Sequence, residues 1–153
     1  FFFHAEDGIR ARSPSRGLGD VYKRQILDDV VPNLITLKNR GLVLGLISNM
    51  NSFGRDLLEK FELQKHIDFA VTSREVGMEK PHPKIFERAL DLSRVLPIES
   101  IHVGDQIGSD VDGAERSGIT PVLLDRDRNH TTFDRYSRIE SMDELVSVLD
   151  SLE

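Results

Sequence analysis

From residue 26 onward, apolar and polar residues follow two alternating periods along the chain. Short apolar runs bounded by turn residues are typical of strands buried in a parallel sheet, and apolar residues three and four apart are typical of helices. The apolar runs predict strands at residues 42–47, 67–72, 101–104 and 121–124. The helical spacings predict helices at residues 30–38, around 57–61, at 83–92, around 111–114 and at 145–152. Elements that alternate at these lengths form right-handed βαβ units, so we predict an α/β fold with a parallel sheet and helices on both faces.

Residues at the ends of the predicted helices support these assignments. Gly41 stands where a C-terminal cap is expected, and Pro83 stands at a tolerated first-turn position. Ser141 and Glu144 have the spacing of a capping box, which satisfies two backbone N–H groups at the start of a helix.

Residues 1–25 break this order, because neither the helical nor the strand period is present in them. Basic, Ser, Pro and Gly residues dominate most of the segment, as in a linker or tail. Residues 13–25 also resemble translated sequencing-adaptor read-through, and such scars are excluded from fold reasoning. We therefore predict that residues 1–25 are a non-native or disordered segment. Residues 26–153 are then a partial core domain of a natural protein that continues upstream of Ile26.

Composition narrows the classes of function. A chain of 153 residues is one domain at most and is long enough to bury a core. Its net charge of −6 argues against nucleic acids and membrane surfaces as partners, since both attract basic patches. The absence of cysteine excludes disulfides, zinc–thiolate sites and thiol catalysis. No apolar run approaches the ~20 residues of a membrane span. A cytoplasmic location is taken only as the default expectation.

Two acidic residues follow the predicted strand that stops at Gly104. Ligands of open α/β sheets bind at the carboxyl ends of the strands, where Asp105 and Asp110 would lie. Carboxylate oxygens suit a hard cation, so we predict that these two residues form a Mg²⁺ site. The alternative is that Asp105 only ends a strand and Asp110 only stabilises a helix N-terminus. Asp112 is expected to be an ordinary acid on a helix surface.

Two further polar groups stand at the ends of predicted elements. Ser48 follows a strand, and a hydroxyl there can meet phosphate oxygens together with nearby backbone N–H groups. The alternative is that Ser48 and Asn49 only make a turn or a helix cap. Lys80 lies beside Pro81 and Pro83, which stiffen its approach, and a positioned ammonium can stabilise developing negative charge. The alternative for Lys80 is an ordinary solvated side chain.

Three short motifs occur in an order that resembles the haloacid dehalogenase (HAD) superfamily of hydrolases. The motifs are Ser48-Asn49, Lys80-Pro81, and Gly104-Asp105 with Asp110. The resemblance extends from about residue 26 to about residue 125. It implies a Rossmann-like core, a cap inserted between the superfamily's first and second motifs, and most often a Mg²⁺-dependent phosphatase.

The resemblance also implies a role for each motif residue. Ser48 would hydrogen-bond the transferring phosphoryl group, and Asn49 would support this phosphate-binding loop. Lys80 would neutralise the nucleophile and the phosphoryl oxygens, and Asp105 and Asp110 would hold Mg²⁺ directly or through water. Dehalogenases of the superfamily need no metal and usually lack the acid at the position of Asp105. Phosphoryl transfer is therefore favoured.

The superfamily's first motif is a strand followed by Asp-x-Asp-x-Thr, which supplies the attacking aspartate and an acid–base aspartate. Residues 26–153 contain no such motif. Residues 1–9 imitate it with Ala5 at the nucleophile position and Asp7 at the acid–base position, a match that we interpret as coincidence because alanine cannot attack phosphorus. The chain is predicted to lack both this first strand and the cap. In the superfamily the first strand lies mid-sheet, so its loss would leave two inner strands facing a gap with unpaired backbone groups. The chain is then either poorly stable or fills the gap with residues 1–4.

We predict that the natural protein is a HAD-type phosphatase of small phosphorylated metabolites that acts through an aspartyl phosphate with Mg²⁺. The chain as given is expected to be inactive. One alternative is a non-catalytic or regulatory domain that keeps the phosphate and metal site. A phospho-acceptor receiver domain is disfavoured because its acidic pair would come first and its lysine last. A nicotinamide-binding domain is disfavoured because no Gly-x-Gly-x-x-Gly follows a strand.

Two other groups of polar residues are expected to have structural explanations. The five histidines show no paired spacing for a metal site, and His102 is expected to pack beside the sheet. The mixed-charge segment 125–130 is expected to be a solvated loop.

Overall fold

The computed structural model describes residues 2–4, 9–11 and 24–152. The strands are β1 (Phe2–His4), β2 (Ile9–Ala11), β3 (Arg24–Ile26), β4 (Gly45–Ser48), β5 (Phe69–Thr72), β6 (Ile101–Gly104), β7 (Thr120–Leu124) and β8 (Arg138–Ile139). The α-helices are α1 (Val30–Asn39), α2 (Gly54–Lys60), α3 (Ser73–Val76), α4 (Pro83–Ser93), α5 (Asp112–Arg116) and α6 (Leu145–Leu152). Short 3₁₀ turns lie at Pro97–Glu99 and Met142–Glu144, and a π-helical turn lies at Ile107–Val111. Among these described ranges, no helix has the length and apolar character needed to cross a membrane.

Six parallel strands form the central sheet, in the order β5-β4-β1-β6-β7-β8. Two neighbouring residues of β4 show how the sheet is covered. Leu46 belongs to an apolar cluster that includes α1, α2 and α6, and Ile47 belongs to a second cluster with α4 and α5. Successive side chains of a strand point to opposite faces, so helices cover both faces of the sheet. The predicted α/β class is confirmed.

The strand β1 occupies the middle of the sheet, between β4 and β6. Phe2 pairs with both Gly45 and His102, and His4 pairs with Ile47. The gap expected from the missing first strand is therefore closed by residues 2–4, which was the second of the two predicted outcomes. The pairing gives hydrogen-bond partners to backbone groups of β4 and β6 that would otherwise be buried without any.

Two short strands also lie in or at the edge of the segment 1–25. β2 and β3 form a separate antiparallel pair, with Ile9 opposite Ile26. Strands of three residues are too short to produce a visible sequence period, so the sequence predicted no element there. The predicted first-motif imitators Ala5 and Asp7, and the adaptor-like residues 13–23, lie outside the described residues.

The predicted helix boundaries agree closely with the structure. α1 and α4 begin at the predicted residues and each ends one residue later than predicted, and α6 has the predicted bounds. Gly41 has a φ of 80°, the left-handed conformation that suits glycine at a helix end. Ser141 and Glu144 form the predicted capping box, which opens a 3₁₀ turn that continues into α6.

Strands β4 and β5 begin two to three residues later than predicted, at Gly45 and Phe69. Asp68 explains these later starts, because its side chain takes the place of a backbone hydrogen bond between the two strands. Its carboxylate accepts from Leu44 N at 2.7 Å, and its own N–H donates to Leu44 O at 2.8 Å.

The loop after β7 corrects one prediction. Asp125 is only 4% exposed, and its carboxylate accepts from the backbone N–H groups of Asn129 and His130 at 2.8 and 2.9 Å. Arg126 donates to Asp29 at the start of α1, with one contact at 2.8 Å. The prediction of a merely solvated loop at 125–130 is therefore wrong, since these charges close the turn and fasten it to a helix.

Candidate active site

Three strand ends lie side by side at one edge of the sheet, because β4, β1 and β6 are parallel neighbours. Ser48 is the last residue of β4, and Asp105 directly follows β6. Lys80 lies in the turn before α4, and its ammonium is 3.4 Å from the carbonyl oxygen of Ile47. The structure thus brings residues of all three predicted motifs to this edge.

A buried ion pair joins Lys80 and Asp110. Lys80 Nζ lies 2.7 Å from Asp110 Oδ1, and the two side chains are 0% and 1% exposed. Burial lowers the pKa of Lys80, although the carboxylates of Asp110 and Asp105 oppose this shift. Burial alone would raise the pKa of Asp110, but the Lys80 ammonium and the His102 ring outweigh it and hold that pKa below its ordinary value. Asp110 is therefore an ionised acceptor, and the alternative of a solvated Lys80 is wrong.

The turn after β6 holds the Asp110 carboxylate in place. Asp110 Oδ2 accepts from the N–H of Gln106 at 3.1 Å, and the N–H of Asp110 donates to Gln106 O at 2.8 Å. The carboxylate packs onto Gly104, where an added Cβ would lie 2.3 Å from Asp110 Cγ. Such a distance is impossible, so only glycine fits at the end of β6. The π-helical turn around Asp110 is of a kind that is frequent at functional sites.

Asn49 fixes the backbone of Lys80. Its Oδ1 accepts from Lys80 N at 2.7 Å, and its Nδ2 donates to Lys80 O at 3.2 Å. The side-chain amide of Asn49 is thus directed at Lys80. This geometry gives Asn49 the predicted loop-supporting position, and its contact with phosphate stays a prediction.

Ser48 is fully buried, and its Oγ accepts from the N–H of Met50 at 3.1 Å. This bond is the turn role that the sequence offered as the alternative. Because the oxygen acts as the acceptor, the hydroxyl proton stays available for donation. The contact of Ser48 with a phosphoryl oxygen stays a prediction.

The structure places the two predicted metal ligands in different environments, and their contact with a metal stays a prediction. Asp105 is exposed, and its carboxylate makes no hydrogen bond or ion pair with the described residues. Both oxygens of Asp110 already accept protein N–H groups. The described ranges contain no group of three or more His, Asp or Glu residues placed to hold a metal ion. This donor set fits Mg²⁺, which keeps several waters and needs only one or two carboxylates, with Asp105 as the available oxygen ligand.

A family model described as haloacid dehalogenase-like hydrolase matches residues 19–124. The match covers more than half of the chain and includes all five predicted site residues. The chain belongs to the haloacid dehalogenase-like hydrolase family.

Two relatives are similar in sequence to this family member. Haloacid dehalogenase-like hydrolase domain-containing protein 3 of Bos taurus is 37% identical over 100 residues, which cover 65% of this chain and 40% of that protein. Glyceraldehyde 3-phosphate phosphatase of Methanothermobacter thermautotrophicus is 33% identical over 120 residues, which cover 78% of this chain and 52% of that protein. The chain thus spans 40% to 52% of the length of these two relatives.

Solved structures of two haloacid dehalogenase-like proteins superpose well on the chain. The 2-haloacid dehalogenase of Pseudomonas syringae has a TM-score of 0.77 at 27% identity, covering 86% of this chain and 56% of that one. The HAD phosphatase of Thermococcus onnurineus has a TM-score of 0.76 at 30% identity, covering 82% of this chain and 59% of that one. Because a dehalogenase and a phosphatase match equally well, the fold alone does not choose between the two reactions.

His102 belongs to the site although the motifs did not point to it. The predicted packing beside the sheet is confirmed, since the side chain is fully buried on β6. Its Nε2 also lies 3.1 Å from Asp110 Oδ1, which the sequence did not predict. Burial lowers the pKa of His102, although Asp110 opposes the shift, so the ring is neutral near pH 7. The sequence did contain a signal for this position. Residues two apart on a strand share a face, so residue 102 lies on the same face as Gly104, onto which the Asp110 carboxylate packs.

Proposed function

We propose that this chain carries the phosphate- and metal-binding part of a Mg²⁺-dependent phosphatase. Its substrates would be small phosphorylated metabolites, and its reaction would pass through an aspartyl phosphate. The observation that carries the proposal is the buried Lys80–Asp110 pair, held at the edge where β4, β1 and β6 end. A fixed ammonium at a strand edge is suited to the charge that develops on a transferring phosphoryl group.

Four residues of the site have specific roles in this proposal. The Lys80 ammonium faces the phosphoryl oxygens, and Asp110 keeps it charged and in place. The Ser48 hydroxyl donates to a phosphoryl oxygen while its own oxygen keeps the turn closed through Met50 N. Asp105 would hold Mg²⁺, which when bound neutralises charge on the phosphate.

Phosphatase activity is preferred over dehalogenation for two reasons. The first is Asp105, since dehalogenases of the superfamily need no metal and usually lack an acid at this position. The second is that a relative in sequence is named a glyceraldehyde 3-phosphate phosphatase and a structural neighbour is named a HAD phosphatase. Both names support a phosphate monoester as the class of substrate.

The attacking aspartate is the part that we propose this chain lacks. β1 ends at His4, between the ends of β4 and β6, and the next residue in the sequence is Ala5. Asp7 follows at the spacing of the acid–base residue. Because β1 pairs between β4 and β6, we infer that Ala5 and Asp7 stand at the sequence positions of the first motif, instead of the coincidental match that the sequence alone suggested. We therefore expect the unmodified chain to release no phosphate from p-nitrophenyl phosphate in the presence of Mg²⁺.

Restoring a carboxylate at position 5 tests the proposed reaction. The substitution Ala5→Asp completes Asp-x-Asp after β1, and we expect measurable Mg²⁺-dependent phosphate release from p-nitrophenyl phosphate. The control is the double variant A5D/D105N, which is expected to be inactive because it cannot hold the metal. If the unmodified chain shows turnover and this turnover disappears on Asp105→Ala, the proposal that the chain lacks a nucleophile is refuted. A folded A5D variant without turnover would contradict the reaction.

A further inference from the structure

His102 is in hydrogen-bond contact with the carboxylate that holds Lys80. Its Nε2 is 3.1 Å from Asp110 Oδ1, and the same oxygen is 2.7 Å from Lys80 Nζ. An ionised carboxylate only accepts hydrogen bonds, so the proton of the ring must lie on Nε2. Asp110 Oδ1 therefore receives two N–H donors, and Oδ2 receives a third from Gln106.

The other ring nitrogen of His102, Nδ1, makes no comparable contact with the described residues. Nδ1 is buried, and it finds no hydrogen-bond partner in the part of the chain that the structure describes. A buried polar atom without a partner destabilises the folded state, and an apolar ring at this position would avoid that cost. The contact from Nε2 to Asp110 is thus the physical reason for a histidine at this position.

Packing helps to fix the plane of the His102 ring. Phe86 of α4 meets the His102 ring edge to face, with ring centroids 5.2 Å apart and an interplanar angle of 89°. Phe86 is itself held by Gly113, where an added Cβ would lie 2.7 Å from Phe86 Cε2. Aromatic pairs of this geometry are favourable beyond their buried area, so Phe86 helps to fix the plane of the ring. Within that plane, the contact with Asp110 directs Nε2 towards the carboxylate.

We propose that His102 is a positioning residue, which through its Nε2–H orients the Asp110 carboxylate and so aims the Lys80 ammonium at the phosphate site. It touches neither the phosphate nor the metal. This inference rests on the proposed function for its effect on phosphate, but the hydrogen bond itself can be tested without any ligand.

Two variants separate the hydrogen bond from the shape of the ring. His102→Phe keeps an aromatic ring against Phe86 and removes the donor, whereas His102→Gln keeps an N–H at a similar reach. Inorganic phosphate is titrated calorimetrically into each protein in the presence of Mg²⁺, after circular dichroism has confirmed cooperative unfolding. We expect H102F to bind phosphate at least about tenfold more weakly and H102Q to stay within about threefold of the unmodified chain. Equal affinity of all three proteins would overturn the proposal, and so would an equal loss in both variants.

The ring itself gives a readout that does not depend on phosphate. A long-range ¹H–¹⁵N correlation spectrum of the unmodified chain is expected to place the His102 proton on Nε2, with Nδ1 bare. A ring with Nε2 unprotonated would overturn the inference even if phosphate binds. If the unmodified chain binds no phosphate while the spectrum shows the Nε2 proton, the proposed function fails and the Asp110 contact stands.

Discussion

At the scale of single residues, the two acids after β6 have different environments, and we propose different roles for them. Asp110 is buried with three nitrogen atoms in contact with its carboxylate, and Asp105 is exposed. Motif spacing predicts that both residues belong to the site, but it cannot tell which is committed to Lys80. That distinction depends on the π-helical turn and on the close approach to Gly104, which only coordinates reveal.

Matched substitutions of the two acids test this division. Asp110→Asn removes the counter-charge of a buried ammonium, so we expect the free energy of unfolding to fall by about 3–5 kcal/mol. Asp105→Asn is the control, and it is expected to leave stability nearly unchanged because the side chain is exposed. Urea unfolding at pH 7 measures both values. Equal losses in the two variants would show that Asp110 is not the buried partner of Lys80.

Other site residues differ in how far the sequence predicts them. Ser48 and Lys80 follow from their motif positions, since Ser48 ends a strand and Lys80 lies in the turn before α4. The contact of His102 with Asp110 is not predicted by the motif. The motif is defined by the spacing of its own residues and does not specify which side chains of the preceding strand contact them. The amide of Asn49 likewise spans 31 positions to Lys80, a contact that no local pattern encodes.

At the scale of elements, one aspartate joins three segments that are distant in sequence. Asp29, next to the start of α1, accepts from Arg126 at 2.8 and 3.1 Å, from Met142 N at 2.9 Å and from Ser141 Oγ at 3.0 Å. It thereby fastens the loop after β7 and the capped turn before α6 to α1. Burial alone would raise the pKa of Asp29, but Arg126 and the Met142 N–H outweigh it and lower the pKa.

This lowered pKa predicts how stability depends on pH. A carboxyl whose folded pKa lies below its unfolded pKa stabilises the protein above the unfolded value, near pH 4, and loses that contribution as pH falls through the folded value. We expect Asp29→Asn to lower the free energy of unfolding by roughly 1–3 kcal/mol at pH 7 and to flatten its decline below about pH 4. The exposed neighbour variant Asp28→Asn is the control. Denaturant unfolding from pH 7 to pH 2.5 measures both, and parallel curves for D29N and the unmodified chain would contradict the role of Asp29.

The element boundaries show where sequence patterns succeed. The ends of α1, α4 and α6 are predicted to within one residue, because apolar residues at helical spacing are accompanied by end signals at Gly41, at Pro83 and in the Ser141–Glu144 capping box. β8 has only two residues, and the loop before it is fastened by charged side chains. Neither β8 nor these contacts produce an apolar period, so the sequence predicted a loop here but neither the strand nor the contacts that fasten the loop.

At the scale of the whole molecule, the sheet order explains why the site lies where it does. The alternation of elements predicts a parallel sheet, but it does not give the order β5-β4-β1-β6-β7-β8. That order depends on β1, whose three residues pair with β4 and β6 on either side. The motif residues are brought together because the strands on both sides of β1 end at the same edge.

The central claim is that Asp105 holds Mg²⁺ beside a phosphate site formed by Ser48 and Lys80. Its most direct test is calorimetric titration of inorganic phosphate into the unmodified chain, with and without Mg²⁺, and into two variants that replace neighbouring acids. Asp105→Asn removes the proposed metal ligand, and Asp112→Asn removes a partly exposed acid that pairs with Arg135. We expect phosphate to bind the unmodified chain and D112N only with Mg²⁺, and D105N to lose this dependence together with at least about tenfold in affinity. Mg²⁺-dependent binding by D105N that equals that of the unmodified chain would contradict the account.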